Sequence, residues 1–281
     1  MGGAITHVLG ARPNFVKAAP VIRALAGAKL GVPLAHVEAG LRSFDNTMPE
    51  EINRRLTDQL CDLLFCTSPE ALGHLAREGR PDGAMHFVGN PMIDTLIANL
   101  DKFDSTAARA AYDLGDRPYV VATLHRPANV DHPERAAELV QALHEVATKL
   151  DVIIPLHPRG RATLTAAGLL DNERIHVVDP LGYVEFMSLV RGAAAIVTDS
   201  GGVQEETTLL RVPCLTLRPN TERPITITSG SNRLVTREEL AAAVLQACDD
   251  GPYAGELPPL WDGQAGPRIA RIITGWLEAG R

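Results

Sequence analysis

The sequence predicts an α/β protein of two doubly wound, Rossmann-like domains, and three observations predict it. Short apolar runs alternate with helical patterns along the 281 residues, the order that builds parallel sheets through βαβ crossovers. A single lull, "DKFDSTAARAAYDLGDRP" at 101–118, interrupts the alternation. Charged and hydroxyl residues gather where the apolar runs end, the place where doubly wound folds bind ligands.

In order, the first half reads as strand "AITHVLG" (4–10), helix "NFVKAAPVIRALAGA" (14–28), strand "PLAHVEAG" (33–40) and helix "MPEEINRRLTDQLC" (48–61). Strand "LLFCTS" (63–68), helix "PEALGHLAREG" (69–79) and strand "MHFVG" (85–89) follow. The runs are short and apolar enough for strands, and the segments between carry the apolar spacing of helices. After the lull come strand "YVVATLHR" (119–126), helix "PERAAELVQALHEVATKL" (133–150), strands "DVIIPLHP" (151–158) and "IHVVD" (175–179), strand "AAAIVTDS" (193–200) and strand "PCLTLR" (213–218). "GGVQEETTLL" opens a helix after Ser200, and "GPRIARIITGWLEAG" (266–280) closes the chain as a helix. The expected domains are 1–98 joined by the closing helix at 266–281, and 99–265, with a hinge near 95–116 and no internal repeat.

Composition narrows the function. A net charge of −7 without a run of Lys or Arg argues against nucleic acid, whose phosphates need a basic face; a small anionic ligand remains open. The four cysteines (Cys61, Cys66, Cys214, Cys248) have no CxxC spacing, so they read as reduced core residues of a cytoplasmic protein and not as metal ligands. No apolar run approaches the ~20 residues of a membrane span, and the N-terminus lacks a basic region followed by an apolar one. "MGGAIT" fits a myristoylation pattern, but the strand reading of "AITHVLG" takes precedence.

Four strand ends carry candidate chemistry. In "GARPNFVK", Arg12 and Lys17 surround a helix start that suits a phosphate; a plain loop is the alternative. In "HVEAGLRSFDNTMPEEINR", Glu38 ends a strand, and Arg42, Asp45, Glu50, Glu51 and Arg54 follow. Two carboxylates from one loop can face a sugar carbon from opposite sides; alternatively Glu38 pairs with Arg42, and Glu50 and Glu51 form a charge pair at a helix N-terminus. In "VVATLHRPANVD", His125 and Arg126 suit a pyrophosphate, and His157 in "IIPLHPRG" repeats the placement. In "TDSGGVQEET", Ser200, Gly201 and Gly202 offer a hydroxyl and open backbone N–H groups at a helix start. Glu206, one turn on, suits ribose hydroxyls, and Glu222 and Arg223 of "NTERP" follow the next strand. The alternative there is a capping arrangement of Ser200 with Gln204 and Glu205.

"GARPNFVKAAPVIRAL", "GVPLAHVEAGLRS", "MPEEINR", "VGNPMIDTL", "TLHRPANV", "PLHPRG", "VTDSGGVQEE" and "TERP" together resemble the non-hydrolysing UDP-N-acetylglucosamine 2-epimerase family, whose fold is GT-B. "HVEAGLR" and "TDSGGVQEE" are the most specific parts. The resemblance implies interconversion of UDP-GlcNAc and UDP-ManNAc through elimination and re-addition of UDP. It implies Glu38 and Glu50 as acid/base groups and Lys17, Arg12 and His125 around the departing diphosphate. Ser200, Gly201, Gly202 and Glu206 would hold UDP, with Arg126, His157 and Arg223 at the same site. It implies no cofactor or metal, and a homodimer.

The chain also departs from that family. "AKLG" alone joins "VIRALAG" to "GVPLAHVEAG", where relatives carry a long segment with a Thr-Gly-Gln-His-type turn and a catalytic Gly-Asp-Thr-type aspartate. No residue here matches either motif, so the first domain is internally shortened, and turnover near background is expected of this sequence by itself. Two other readings stay open: a catalytically impaired UDP or UDP-sugar binding protein, and a GT-B glycosyltransferase. The retained "HVEAGLR" and "PEEINR" count against the transferase.

Overall fold

The structure is a computed structural model that describes Gly27 and residues 31–156 and 158–280. Arg12, Lys17 and His157, and the first expected strand and helix, lie outside the described residues. The chain divides into two compact units, Met1–Asp94 with Pro259–Arg281, and Thr95–Pro258.

In the first unit, β1 (Ala35–Val37), β2 (Leu63–Cys66) and β3 (Met85–Phe87) form a parallel sheet in that order. Helices α1 (Pro49–Leu60) and α2 (Pro69–Arg77) make the crossovers. β2 is apolar throughout because both of its faces are covered. Leu64 and Cys66 pack with Ala71 and Leu75, while Leu63 and Phe65 pack against Ile269, Ile272, Ile273 and Trp276 of the closing helix, Ala265–Glu278. That helix is fixed at its start by Asp94, whose carboxylate accepts from Ala265 N (3.1 Å) and Gly266 N (2.7 Å). β1 pairs with β2 from Ala35↔Leu63 to Val37↔Phe65, with Ala35 and Val37 exposed and His36 half-buried between them.

The second unit holds a six-stranded parallel sheet in the order β6-β5-β4-β7-β8-β9. Its strands are β4 (Tyr119–Thr123), β5 (Asp151–Pro155), β6 (Ile175–Val178), β7 (Ala195–Thr198), β8 (Cys214–Thr216) and β9 (Asn232–Leu234). Counted within the unit, this is the 3-2-1-4-5-6 order of a dinucleotide-binding Rossmann sheet, whose direction of winding reverses between the first and fourth strands. Here those strands are β4 and β7, paired from Val120↔Ala195 to Thr123↔Thr198. The core is Val120, Ala122, Val152, Ile154, Val197 and Leu215 against the helix Pro133–Ala147 and the helix Arg237–Asp250. Elements outside the sequence expectation include β9, the helices Pro91–Ile97, Pro158–Ala166, Tyr183–Gly192 and Arg237–Asp250, and a helix Ser105–Ala111 inside the lull. The last is capped by Asp104, which accepts from Thr106 N and Ala107 N.

Candidate functional site

The reversal between β4 and β7 brings the ends of "ATLHR" and "IVTDS" side by side. Thr123 and Thr198, in register, share a hydrogen bond of 2.8 Å between hydroxyls. The residue that organises the site beyond them is Asp199, which is 0% exposed. Its carboxylate accepts from His125 N (3.1 Å), Arg126 N (2.9 Å) and Asn129 Nδ2 (3.0 Å), and meets His125 Nδ1 at 2.8 Å. Its backbone carbonyl accepts from Arg126 Nε at 2.9 Å. Burial pushes the Asp199 carboxyl upward, but His125, Asn129 and the Arg126 amide together hold it below the ordinary carboxylate range. The anionic Asp199 therefore fixes the loop after β4 and orients the His125 ring through one nitrogen, while that side chain stays 43% exposed.

Helix α3 (Gly201–Leu210) starts two residues after this aspartate. Ser200 occupies the cap position with extended backbone, yet its side chain makes no cap hydrogen bond. The hydroxyl cap entertained from sequence is not formed. Gln204 donates to the Ser200 carbonyl (3.0 Å) and accepts from Thr221 and Asn232, and Glu205 meets Arg223 Nε at 2.9 Å. A helix start whose cap hydroxyl is not turned back on its own amides suits an anion. Gly201 is needed for packing: a Cβ there would lie 2.5 Å from Arg223 Nη1 and 2.8 Å from Glu222 Oε1. Arg223 and Glu222 form a buried ion pair, extended by Arg218 Nη2 to Glu222 Oε2 at 2.7 Å, so the "TERP" loop packs directly on the start of α3. One turn along, Glu206 is 6% exposed. Burial raises its carboxyl to about 7 against a smaller opposing hydrogen bond from the Tyr183 hydroxyl.

In the first unit, the loop after β1 carries Glu38 at one end and Glu50 at the other, both half-buried. Glu38 has left-handed backbone, φ 69°, which is uncommon for a residue with a Cβ. Gly40 (φ 77°) follows, where a Cβ would lie 2.5 Å from the Ala71 carbonyl oxygen. Arg42 is buried against Asp58 (2.6 Å) and Glu78 (2.7 Å), which replaces the simple Glu38–Arg42 pair considered from sequence. The adjacent glutamates are not an equivalent helix-terminal pair either. Glu51 is fully buried and accepts from Ser43 N (2.9 Å), Ser43 Oγ (3.0 Å), Phe44 N (3.2 Å) and Arg54 Nη2 (3.0 Å). Burial raises the Glu51 carboxyl, but these donors outweigh it and hold it below the ordinary range.

Of the residues singled out from sequence, His125, Arg126, Ser200, Gly201, Gly202, Glu206 and Arg223 belong to the second unit, and Glu38 and Glu50 to the first. Asp199, Asp58 and Glu51 were missed as organising residues. Asp199 stands in the quoted "TDSGG", directly after an apolar run, and that position was the available signal. Among the described residues no group of three His, Cys, Asp or Glu side chains is arranged to hold a metal, and no helix is long and apolar enough to cross a membrane.

Residues 18–274 match the sequence profile described as UDP-N-acetylglucosamine 2-epimerase. The chain belongs to the UDP-N-acetylglucosamine 2-epimerase family. It is 42% identical over 262 residues to UDP-N-acetylglucosamine 2-epimerase of Methanocaldococcus jannaschii, covering 89% of this chain and 71% of that one. It is 39% identical to UDP-2,3-diacetamido-2,3-dideoxy-D-glucuronate 2-epimerase of Pseudomonas aeruginosa, covering 89% and 70%. Among solved structures, the M. jannaschii epimerase in complex with UDP-GlcNAc and UDP superposes with TM-score 0.81 at 40% identity, covering 91% of this chain and 72% of that one. The Neisseria meningitidis epimerase bound to UDP-GlcNAc gives 0.82 at 27% identity, with 91% and 73% covered. The epimerase family therefore supplies the fold class, α/β of GT-B type. The chain thus spans 70–73% of the length of these relatives.

Proposed function

We propose that this chain is an isomerase that interconverts UDP-N-acetylglucosamine and UDP-N-acetylmannosamine. The observation that carries the reading is the reversal point of the second unit, where the Asp199-held His125 and Arg126 stand beside the Ser200–Gly202 start of α3 with Glu206 one turn on. That set matches a nucleoside diphosphate: donors for phosphate oxygens and a carboxylate for a ribose diol.

The chemistry follows from the substrate. The hydrogen on C2 has no adjacent carbonyl and is not acidic, so its loss must accompany departure of a stable anion. A base takes the C2 proton, the C–H electron pair becomes the C1=C2 bond, and the C1–O pair leaves on the UDP phosphate, giving 2-acetamidoglucal. Re-addition of UDP to C1, with a proton delivered to the opposite face of C2, yields the epimer. Glu38 and Glu50 are assigned to the two proton transfers. His125, Arg126, Arg12 and Lys17 are assigned to the leaving diphosphate, with Ser200, Gly201, Gly202, Arg223 and His157 around the nucleotide. Glu206 is assigned to the ribose. The protein's part in this C1–O cleavage and re-formation is proton transfer and charge stabilisation, and neither a metal nor a redox cofactor is invoked.

A second reading, an impaired UDP-sugar binding chain, is favoured by one observation: no residue matches the Gly-Asp-Thr aspartate of relatives. Incubation with UDP-GlcNAc in D2O separates the two, since epimerisation places deuterium at C2 and binding alone does not. We also infer a cytoplasmic homodimer. The location rests on four free cysteines, three of them buried, and the dimer on the family resemblance alone, for which sedimentation is the check.

A further inference from the structure

We propose that Asp58 is the positioning residue of Glu38, holding the turn from which that carboxylate works. The inference rests on the assignment of Glu38 to proton transfer made above. Asp58 lies on α1, is 0% exposed, and takes three donors at once: His36 Nδ1 at 2.6 Å on one oxygen, and Gly40 N at 3.1 Å and Arg42 Nη2 at 2.6 Å on the other. His36 precedes Glu38 and Gly40 and Arg42 follow it, so one buried carboxylate grips the chain on both sides of the acid/base residue. Three of the letters in "HVEAGLR" are thereby explained by a single partner in "LTDQL".

The grip is needed because Glu38 sits at φ 69°, a conformation that persists in a residue with a Cβ only when its surroundings impose it. The turn is closed from its other sides as well. Ala39 N donates to the Phe65 carbonyl (3.1 Å), and His74 Nδ1 lies 2.9 Å from the Gly40 carbonyl oxygen. Arg42 passes the restraint outward through Nε and Nη2 to Glu78 at 2.9 and 2.7 Å. Asp58 is the member of this set that contacts the chain both before and after Glu38. An ionised carboxylate, with two oxygens and only acceptor capacity, suits three converging donors. Burial opposes its charge, while His36 and Arg42 keep it ionised.

The test compares the unaltered chain with Asp58→Ala and with the near-isosteric Asp58→Asn, the latter retained in case the alanine variant does not fold. The primary signal is the side-chain carboxyl 13C resonance of Glu38, assigned by its absence from Glu38→Gln. Amide exchange is followed in parallel. The expected result is a displaced or broadened Glu38 line in whichever variants fold, with exchange at Ala39 and Gly40 faster by about tenfold or more. Amides inside the β2–β3 ladder should keep their protection. An unmoved Glu38 line in the folded variants would overturn the proposal, as would an equal loss of protection across the β2–β3 ladder, which marks a residue that merely holds the fold. C2 deuterium exchange by Glu38→Gln is scored separately. Its retention would refute the proton-transfer assignment while leaving the carboxyl resonance to decide the role of Asp58.

Discussion

If Glu206 holds the ribose as proposed, substrate binding depends on pH, and the burial of Glu206 sets the size of the effect. With the carboxyl raised to about 7, about one chain in eleven carries an ionised Glu206 at pH 6 and about ten in eleven at pH 8. A ribose diol donates to the ionised form, so affinity should rise by about tenfold across that interval, with release of close to one proton on binding at the lower pH. The ligand of choice is UDP-GlcNAc, whose diphosphate is doubly esterified and has no proton of its own to lose in this range. Calorimetry at pH 6 and 8, in buffers of different ionisation enthalpy, measures both affinity and proton release. Glu206→Gln removes the titrating group, and its affinity should lack the tenfold rise. Histidine titration works in the opposite direction and is common to both chains, so the difference between them isolates Glu206. The same shift bears on folding. A carboxyl raised from 4.5 to about 7 contributes stability that is complete below 4.5 and is lost as pH climbs through 7, about 3 kcal/mol in all. In urea, the unaltered chain should lose that much relative to Glu206→Gln between acid and mildly alkaline pH. Parallel pH dependences of the two chains, in affinity and in stability, would refute the reasoning.

Three further outcomes are expected. Asp199→Ala strips the acceptor from His125 N, Arg126 N and Asn129 Nδ2, so urea unfolding should show a loss of about 3–5 kcal/mol together with weakened UDP binding. Because the Asp199 carboxyl is held low, its contribution is present above the ordinary carboxylate range and lost as pH falls through the depressed value; Asp199→Ala should flatten that acid limb. Gly201→Ala drives a methyl to 2.5 Å from Arg223 Nη1, and urea unfolding should show stability lowered by about 1–3 kcal/mol, with UDP binding weakened in calorimetry. Glu50→Gln and Glu51→Gln should part company. The Glu51 change removes the charged acceptor of Ser43, Phe44 and Arg54 and lowers first-unit stability by about 1–3 kcal/mol, read by tryptophan fluorescence from Trp261 and Trp276. The Glu50 change should spare stability by comparison and abolish C2 exchange.

The parallel strands were legible because fully buried strands such as "LLFC" and "AIVT" are short and apolar on both faces. The lateral order β6-β5-β4-β7-β8-β9 was not, since it depends on pairings between residues as distant as Thr123 and Thr198. Only that order shows why His125 and Ser200 share a place. Burial was the other invisible quantity. Nothing in "PEE" distinguishes the fully buried Glu51 from the half-exposed Glu50, and nothing in "LTDQL" marks Asp58 as the partner of His36, Gly40 and Arg42. β9 escaped because three residues with Arg233 exposed leave no period to read. The helix Arg237–Asp250 was within reach: Thr236 and Glu239 form a capping box ahead of Leu240, Ala243 and Val244, spaced for one buried face.

The isomerase proposed above must move the C2 proton of its nucleotide sugar. The most direct measurement is prolonged incubation with UDP-GlcNAc in D2O, followed by proton resonance and mass analysis of the hexose. Because label accumulates with each turnover, even a slow enzyme registers. Epimerisation requires deuterium at C2 together with UDP-ManNAc, and neither product is expected with Glu38→Gln or Glu50→Gln. Tight binding of UDP-GlcNAc with C2 unlabelled beyond the enzyme-free control would contradict it.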